Sequence, residues 1–245
     1  MNDHVESARI AEVYKKRDQQ SSSAYSWLAR DIHSTIFSVD YAMAEVLKGC
    51  GITDLSDIRV LDVGCGRGRW LRVLNEWGAQ AQNLFGVEIN PDRIAYARSI
   101  SPLMTFGSSA DGEFPFSSMK FDVVTVKTVF SSILDRTLRM ELAHDIRSVI
   151  AENGLIVVFD FRVSSPGNKD TIGIGRREIM EMFPKSDISI KSVVLAPPLM
   201  RLLCKISPSL AIFVEWLCPF LRTHRIYTIR AVSYTHLTLP TNREV

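Results

Sequence analysis

An α/β fold, a largely parallel sheet wrapped by helices behind a helical N-terminal cap, is the architecture this sequence predicts, and three observations predict it. Residues Ile58 to Val63 are mostly β-branched or apolar, as a strand covered on both faces must be, and they run straight into Gly64, Gly66 and Gly68. A second short apolar run, Leu84 to Glu88, ends in an acid. It is followed by Asn90-Pro91-Asp92, a helix start with Asn in the capping place and Pro at the first helical position. Beyond it, strand-like and helix-like stretches alternate, as crossover connections require.

Composition sets the bounds. The 245 residues suffice for one domain with a sizeable core, and 46% hydrophobic with 23% charged residues is ordinary globular usage. The net charge of +2 is spread along the chain, so no electrostatic footprint for nucleic acid is visible and a small substrate is expected. Cys50, Cys65, Cys204 and Cys218 form no C-x-x-C pair, which indicates neither a metal site nor a disulfide framework and fits a reducing cytosol. Met1 to Gln20 is polar, without the apolar core of a secretory signal, so a cytoplasmic location is expected.

In chain order, Val5 to Arg17 and Tyr25 to Leu47 carry apolar residues at helical spacing, separated by the polar break Gln19 to Ser23. Gly49 and Gly51 end that helix, and strand one starts at Ile58. A helix from Arg69 to Trp77 leads to strand two, and the next helix turns Ile94 and Ala97 inward. Leu103 to Phe106 and Phe121 to Lys127 are strands three and four. Leu134 to Ile150 is an amphipathic helix closed by Asn153-Gly154, with His144 solvated on it, before strand five at Leu155 to Phe161. A short helix runs from Arg176 to Phe183, and its two arginines are read as solvated. Ile188 to Leu195 is strand six, and Thr223 to Ala231 the last strand. Between them, residues 199–221 are strongly apolar but interrupted by Arg201, Lys205, Pro208, Glu215 and Pro219, too broken to span a membrane. That stretch is first a core helix pair, then a lid, then a face resting on a bilayer.

The glycine turn carries the chemistry. It reads G-x-G-x-G with no lysine, so it is neither a dinucleotide loop nor a Walker loop. Asp62, two residues before the first glycine, suits a cationic or amine-bearing ligand and would repel a diphosphate. Glu88 at the end of strand two can accept both hydroxyls of a ribose.

With Asp62, Gly64, Cys65, Gly66, Gly68 and Glu88 so placed, the sequence resembles the class I S-adenosylmethionine-dependent methyltransferases. Val129 to Ile133, Phe159 to Arg162 and Pro219 to His224 look like a bacterial, type 11-like branch of them. The resemblance implies a seven-stranded Rossmann-like sheet, with the last strand inserted antiparallel, and S-adenosylmethionine as cofactor. It places the methionine end of that cofactor on the glycine loop, the ribose on Glu88, and the adenine against Ile89. Ser109 to Phe116 resembles the family's adenine-recognition stretch, but the usual acid falls at Ala110, so either Asp111 accepts the adenine amino group or Ala110 offers its backbone. Thr128 follows strand four, where the methyl should point. Lys127-Thr128-Val129-Phe130 stands where base-methylating enzymes commonly carry Asn or Asp, then Pro-Pro and an aromatic. Nucleic acid is therefore not expected as a partner.

Three residues are catalytic candidates: Asp160, Arg162 and His33. Asp160 could deprotonate an acceptor and Arg162 hold an anion on it, or the two could simply pair; His33 is a further candidate in the cap, beside Tyr25 and Trp27, whose ordinary reading is core. The expected function is methyl transfer to a small-molecule or lipid-linked acceptor, with O-methylation first. A non-catalytic cofactor-binding scaffold is the alternative, and a nucleotide-dependent oxidoreductase is disfavoured by the loop. Residues 1–57 form the cap and 58–231 the core. Val232 to Thr241 resembles a translated sequencing adapter, so 232–245 is set apart as a non-native tail.

Overall fold

The computed structural model describes residues 28–164 and 167–231, together with Glu6, Arg9, Ile10, Glu12, Val13 and Lys16. Tyr25, Trp27 and the adapter-like tail lie outside the described residues. The strands are β1 (Val60–Val63), β2 (Leu84–Glu88), β3 (Thr105–Ser108), β4 (Phe121–Lys127), β5 (Ile150–Phe161), β6 (Ser186–Leu195) and β7 (Arg222–Ala231). They form one seven-stranded sheet in the order β3-β2-β1-β4-β5-β7-β6. All pairs among β1 to β5 are parallel, and β7 is inserted antiparallel between β5 and β6.

The helices are α1 (Arg30–Gly49), α2 (Arg69–Glu76), α3 (Pro91–Ile100), α4 (Arg136–Val149), α5 (Arg176–Met182), α6 (Pro197–Ile206) and α7 (Pro208–Leu217). Alternation along each strand sorts the core into two layers. Val60, Val123, Leu155 and Val157 face α1, α2 and α3 through Met43, Leu71, Leu74 and Ala97. Their neighbours Leu61, Val124, Ile156 and Val158 face α4 and α5 through Ala143, Ile146, Ile179 and Met182. With both faces covered, β1, β2 and β4 read as near-continuous apolar runs, which is what made them visible in the sequence.

Several boundaries differ from expectation, with β1 starting at Val60 rather than Ile58 and β6 at Ser186 rather than Ile188. β3 lies two residues beyond the expected strand. β5 begins at Ile150, before Asn153-Gly154, because Phe121 pairs with Ile150 and the register then jumps to Val123 with Leu155, leaving a bulge in which Asn153 takes a φ of 63°. The apolar stretch 199–221 is a pair of helices docked on α1 and the edge strand β6. It is pinned there by Glu215, whose Oε1 accepts from the N–H of Val194 at 3.0 Å, and by Arg222, which donates to the carbonyls of Glu215, Ser192 and Trp216. No helix among the described residues is long and apolar enough to cross a membrane.

The glycine loop is seated on β2. The N–H groups of Gly64 and Cys65 both donate to the carbonyl of Val87, at 2.7 and 3.0 Å. Gly86 permits this approach, since a Cβ there would lie 2.6 Å from Cys65 Sγ and 2.8 Å from Phe106 Cδ1. Gly86→Ala is therefore expected to destabilise the fold by about 1–3 kcal/mol in urea unfolding. An unchanged midpoint would mean that the loop is not held by this contact.

Candidate functional site

The carboxyl ends of β1, β2 and β4 open into a cavity of about 310 Å³, where open α/β sheets place their ligands. Gly64 lines it from β1, Glu88 and Ile89 from the end of β2, and Lys127, Thr128 and Val129 from the end of β4. Leu138 and Leu142 of α4 form an apolar wall, and Glu6 and Ile10 of the N-terminal segment close the outer side.

Glu88 is the most firmly held polar group in this cavity. Its Oε1 accepts from the N–H groups of Ile89 and Asn90 at 2.9 and 3.0 Å, and its Oε2 from Gly66 at 2.8 Å. The loop glycines have different duties. A Cβ on Gly64 would sit 2.3 Å from Val129 Cγ2, so this glycine lets the β4 turn pack against the loop. Gly66, at φ 56°, would meet Glu88 Oε2 and Arg93 Nη1 at 3.9 Å from a notional Cβ; its N–H is held by Glu88 and it does not line the cavity. Gly68, at φ 74°, caps α2 and packs under Phe106, and Cys65 is buried against Gly86.

Asp62 lies beneath the cavity rather than on its wall. It is buried in mid-sheet and accepts from Thr125 Oγ1 at 2.7 Å; burial pushes its carboxyl up to about 6, against the pull of that hydrogen bond and of Lys127. Thr128 does line the cavity, at a left-handed φ of 56°, with its N–H donating to Phe159 O at 2.7 Å.

The adenine-stretch residues are placed differently from expectation. The chain turns between Ser109 and Gly112, where the N–H of Gly112 donates to Ser109 O at 3.2 Å. Ala110 and Asp111 form the exposed tip of that turn and do not line the cavity; Ser109, Gly112, Glu113 and Phe114 do. A tight turn sends its tip to solvent, and in this structure neither Ala110 nor Asp111 faces the cavity.

The three catalytic candidates also lie off the cavity wall. Asp160 is fully buried and accepts from the N–H groups of Ser131 and Phe161 at 3.1 and 2.9 Å, and burial raises it to about 6. It holds the turn after β4, and among the described residues no ion pair joins it to Arg162. Arg162 donates its backbone N–H to Thr223, and His33 is exposed on α1.

Lys127 is the residue that sequence reasoning missed. Its Nζ lies 4.1 Å from the centroid of the Trp70 ring, beneath the Arg69–Asp40 ion pair. Burial lowers its pKa to about 8, although Asp62 and Asp40 pull the other way. A charged residue closing an apolar strand was the available signal. Glu6 was missed as well. Its Oε1 accepts from Leu134 N at 2.6 Å, while Arg9, which holds Glu6 ionised, donates to Ser132 O. Arg139, buried on α4, donates to Ile133 and Leu134 carbonyls at 2.6 and 3.0 Å and so fixes the same segment. The charged lining is Glu6, Glu88, Glu113, Glu141 and Asp145 against Arg93 and Lys127, an acidic surface that favours a cationic ligand.

Comparison with known proteins places this arrangement. The family described as "Methyltransferase domain" matches residues 37–237. No curated protein matches the chain. Magnesium protoporphyrin IX methyltransferase from Synechocystis PCC 6803, solved with bound SAH, is similar in structure at a TM-score of 0.63 and 12% identity, covering 93% of this chain and 98% of that one. An S-adenosylmethionine dependent methyltransferase from Mesorhizobium loti is similar at a TM-score of 0.56 and 15% identity, covering 77% and 97%. The [4+2]-cyclase SpnF is similar at 0.55 and 14%, covering 78% and 80%.

Proposed function

The chain belongs to the methyltransferase-domain family, and from that premise we propose that it transfers a methyl group from S-adenosylmethionine to a small-molecule or lipid-linked acceptor, at oxygen. The observation that carries this reading is Glu88, a carboxylate held on the cavity wall by the N–H groups of Gly66, Ile89 and Asn90, beside Gly64. Its oxygens suit the two hydroxyls of a ribose. Ile89 and Phe114 offer apolar surface for a base, Ser109 and Gly112 stand nearby as polar partners, and the acidic lining suits a sulfonium. The loop glycines Gly64 and Gly66 and the turn at Thr128 would hold the methionine end, with Asp62 acting from below through β1.

When bound, S-adenosylmethionine supplies a methyl on a positively charged sulfur, a leaving group that needs no further activation. The protein's part is to align the acceptor and exclude water. Leu138, Leu142 and Ile10 wall the cavity against water. Lys127 is the group suited to take the acceptor hydroxyl's proton, since burial brings its amine to a pKa of about 8 at the end of β4. Residues 1–57 act as the cap and 58–231 as the core, in the cytoplasm or at the periphery of a membrane. The second reading, a fold that binds the cofactor without methyl transfer, is favoured by the likeness to a cyclase and by the burial of Asp160.

S-adenosylhomocysteine at about a hundred times its dissociation constant should raise the unfolding midpoint by roughly 5 to 10 °C, and NADH and ATP should not. Glu88→Ala should abolish that shift. A folded sample that does not respond, or responds equally to all three, would remove the cofactor assignment. Once an acceptor hydroxyl is in hand, the methylation rate should rise with pH through about 8, the range in which Lys127 loses its proton. Lys127→Met should lose that limb and roughly 100-fold or more in rate while keeping the S-adenosylhomocysteine shift. A limb that survives the substitution would move the base elsewhere, and binding with no turnover on any acceptor would favour the second reading.

A further inference from the structure

The connection between β6 and β7 carries a surface that the methyl-transfer reading does not use, and from it we infer that the protein docks on an anionic bilayer surface. Met200, Cys204 and Ala211 of α6 and α7 point inward and form a small core of their own with Leu195. The outer face of the same helices presents Leu202, Ile206, Phe213, Trp216, Leu217 and, just beyond them, Phe220. Ile206 is 72%, Trp216 70% and Phe220 72% exposed. Isolated exposed apolar residues need no explanation, but six large ones on one connection form a patch that water does not favour.

The helix pair is not free to fold over the cavity. Glu215 holds the N–H of Val194, and Arg222 bridges β6 to the end of α7 through three carbonyls. None of residues 197–221 lines the cavity. A rigidly mounted apolar face calls for an external occupant.

Charge selects that occupant. From Pro197 to Arg222 the charged residues are Arg201, Lys205, Glu215 and Arg222, and the acid is buried. Arg201 and Lys205 stand exposed one turn apart on α6, beside Arg30 at the start of α1, and together with Asp31 they line a crevice next to Leu202. Exposed aromatic and aliphatic side chains bordered by cations are the composition of an interfacial helix that lies in the headgroup region of an anionic membrane. The topology adds a reason for the contact. β6 runs parallel to β4 and β5, so the α6–α7 connection leaves the sheet at the edge where the cavity opens. On the proposed reading of a lipid-linked acceptor, a bilayer under this face would lie at the same edge of the sheet as the cavity.

The test is co-sedimentation of the full chain with vesicles of phosphatidylglycerol and phosphatidylcholine, against vesicles of phosphatidylcholine alone, with light scattering to record the oligomeric state. Binding to the anionic vesicles that weakens with added salt is expected, together with a loss of roughly tenfold or more in Trp216→Ser/Phe220→Ser and in Arg201→Glu/Lys205→Glu. Circular dichroism melting shows whether each variant is folded, and the wild-type comparison of the two vesicle types stands without any variant. No binding to the anionic vesicles, equal binding to both, binding that folded variants retain, or a dimer that the apolar substitutions dissolve would overturn the inference. The readout needs no cofactor, so it can fail while the methyl-transfer reading holds, and the reverse.

Discussion

Three backbone N–H groups converge on the carboxylate of Glu88, and the ligand edge depends on that convergence. A buried carboxylate is costly unless its oxygens are satisfied, and here the partners come from two strands' ends at once: Ile89 and Asn90 after β2, and Gly66 after β1. The acid thereby fixes the height of the glycine loop over the sheet. Val87 does the same one residue earlier, with its carbonyl taking the N–H groups of both Gly64 and Cys65. The loop is thus held to β2 at three points, the N–H groups of Gly64, Cys65 and Gly66, and a fixed loop is what alignment for a displacement reaction needs from a protein.

Charge is layered beneath this loop. Asp62 is tied to Thr125 across the β1–β4 pair, Lys127 stands over Trp70, and Asp40 and Arg69 close the layer from α1 and α2. Burial pushes the acid up and the amine down, so both have pKa values near the physiological range, where proton transfer is inexpensive. Asp160 shares the upward shift but lacks access, because Ser131 and Phe161 occupy its oxygens. The contrast separates Lys127, which lines the cavity, from an acid that shapes the turn after β4.

Most of this was legible along the chain. Continuous apolar runs ending in Gly64 and Glu88 marked strands covered on both faces, and Asn90-Pro91 marked a helix start whose side chain does accept from Asp92 and Arg93. What was not legible depends on direction or distance. Ala110 and Asp111 lie close to the right place in sequence, but the turn closed by Gly112 aims them outward. Lys127 is visible as a letter, whereas its desolvation by Trp70 and its neighbours exists only after folding. Glu6 reaches the cavity from the far end of the chain, and the N–H of Val194, at a φ of 63°, is taken by Glu215 on a later helix. Local pattern carries strands and caps; it does not carry the aim of a turn tip or a partner brought in by topology.

A crystal structure determined with S-adenosylhomocysteine tests the central claim most directly. The expected result is the adenosine in the cavity at the carboxyl ends of β1, β2 and β4, its ribose hydroxyls on the Glu88 carboxylate and its base beside Ile89. Ligand bound elsewhere on the protein, or in this cavity with Glu88 still turned wholly to its backbone partners and no ribose against it, would contradict the assignment.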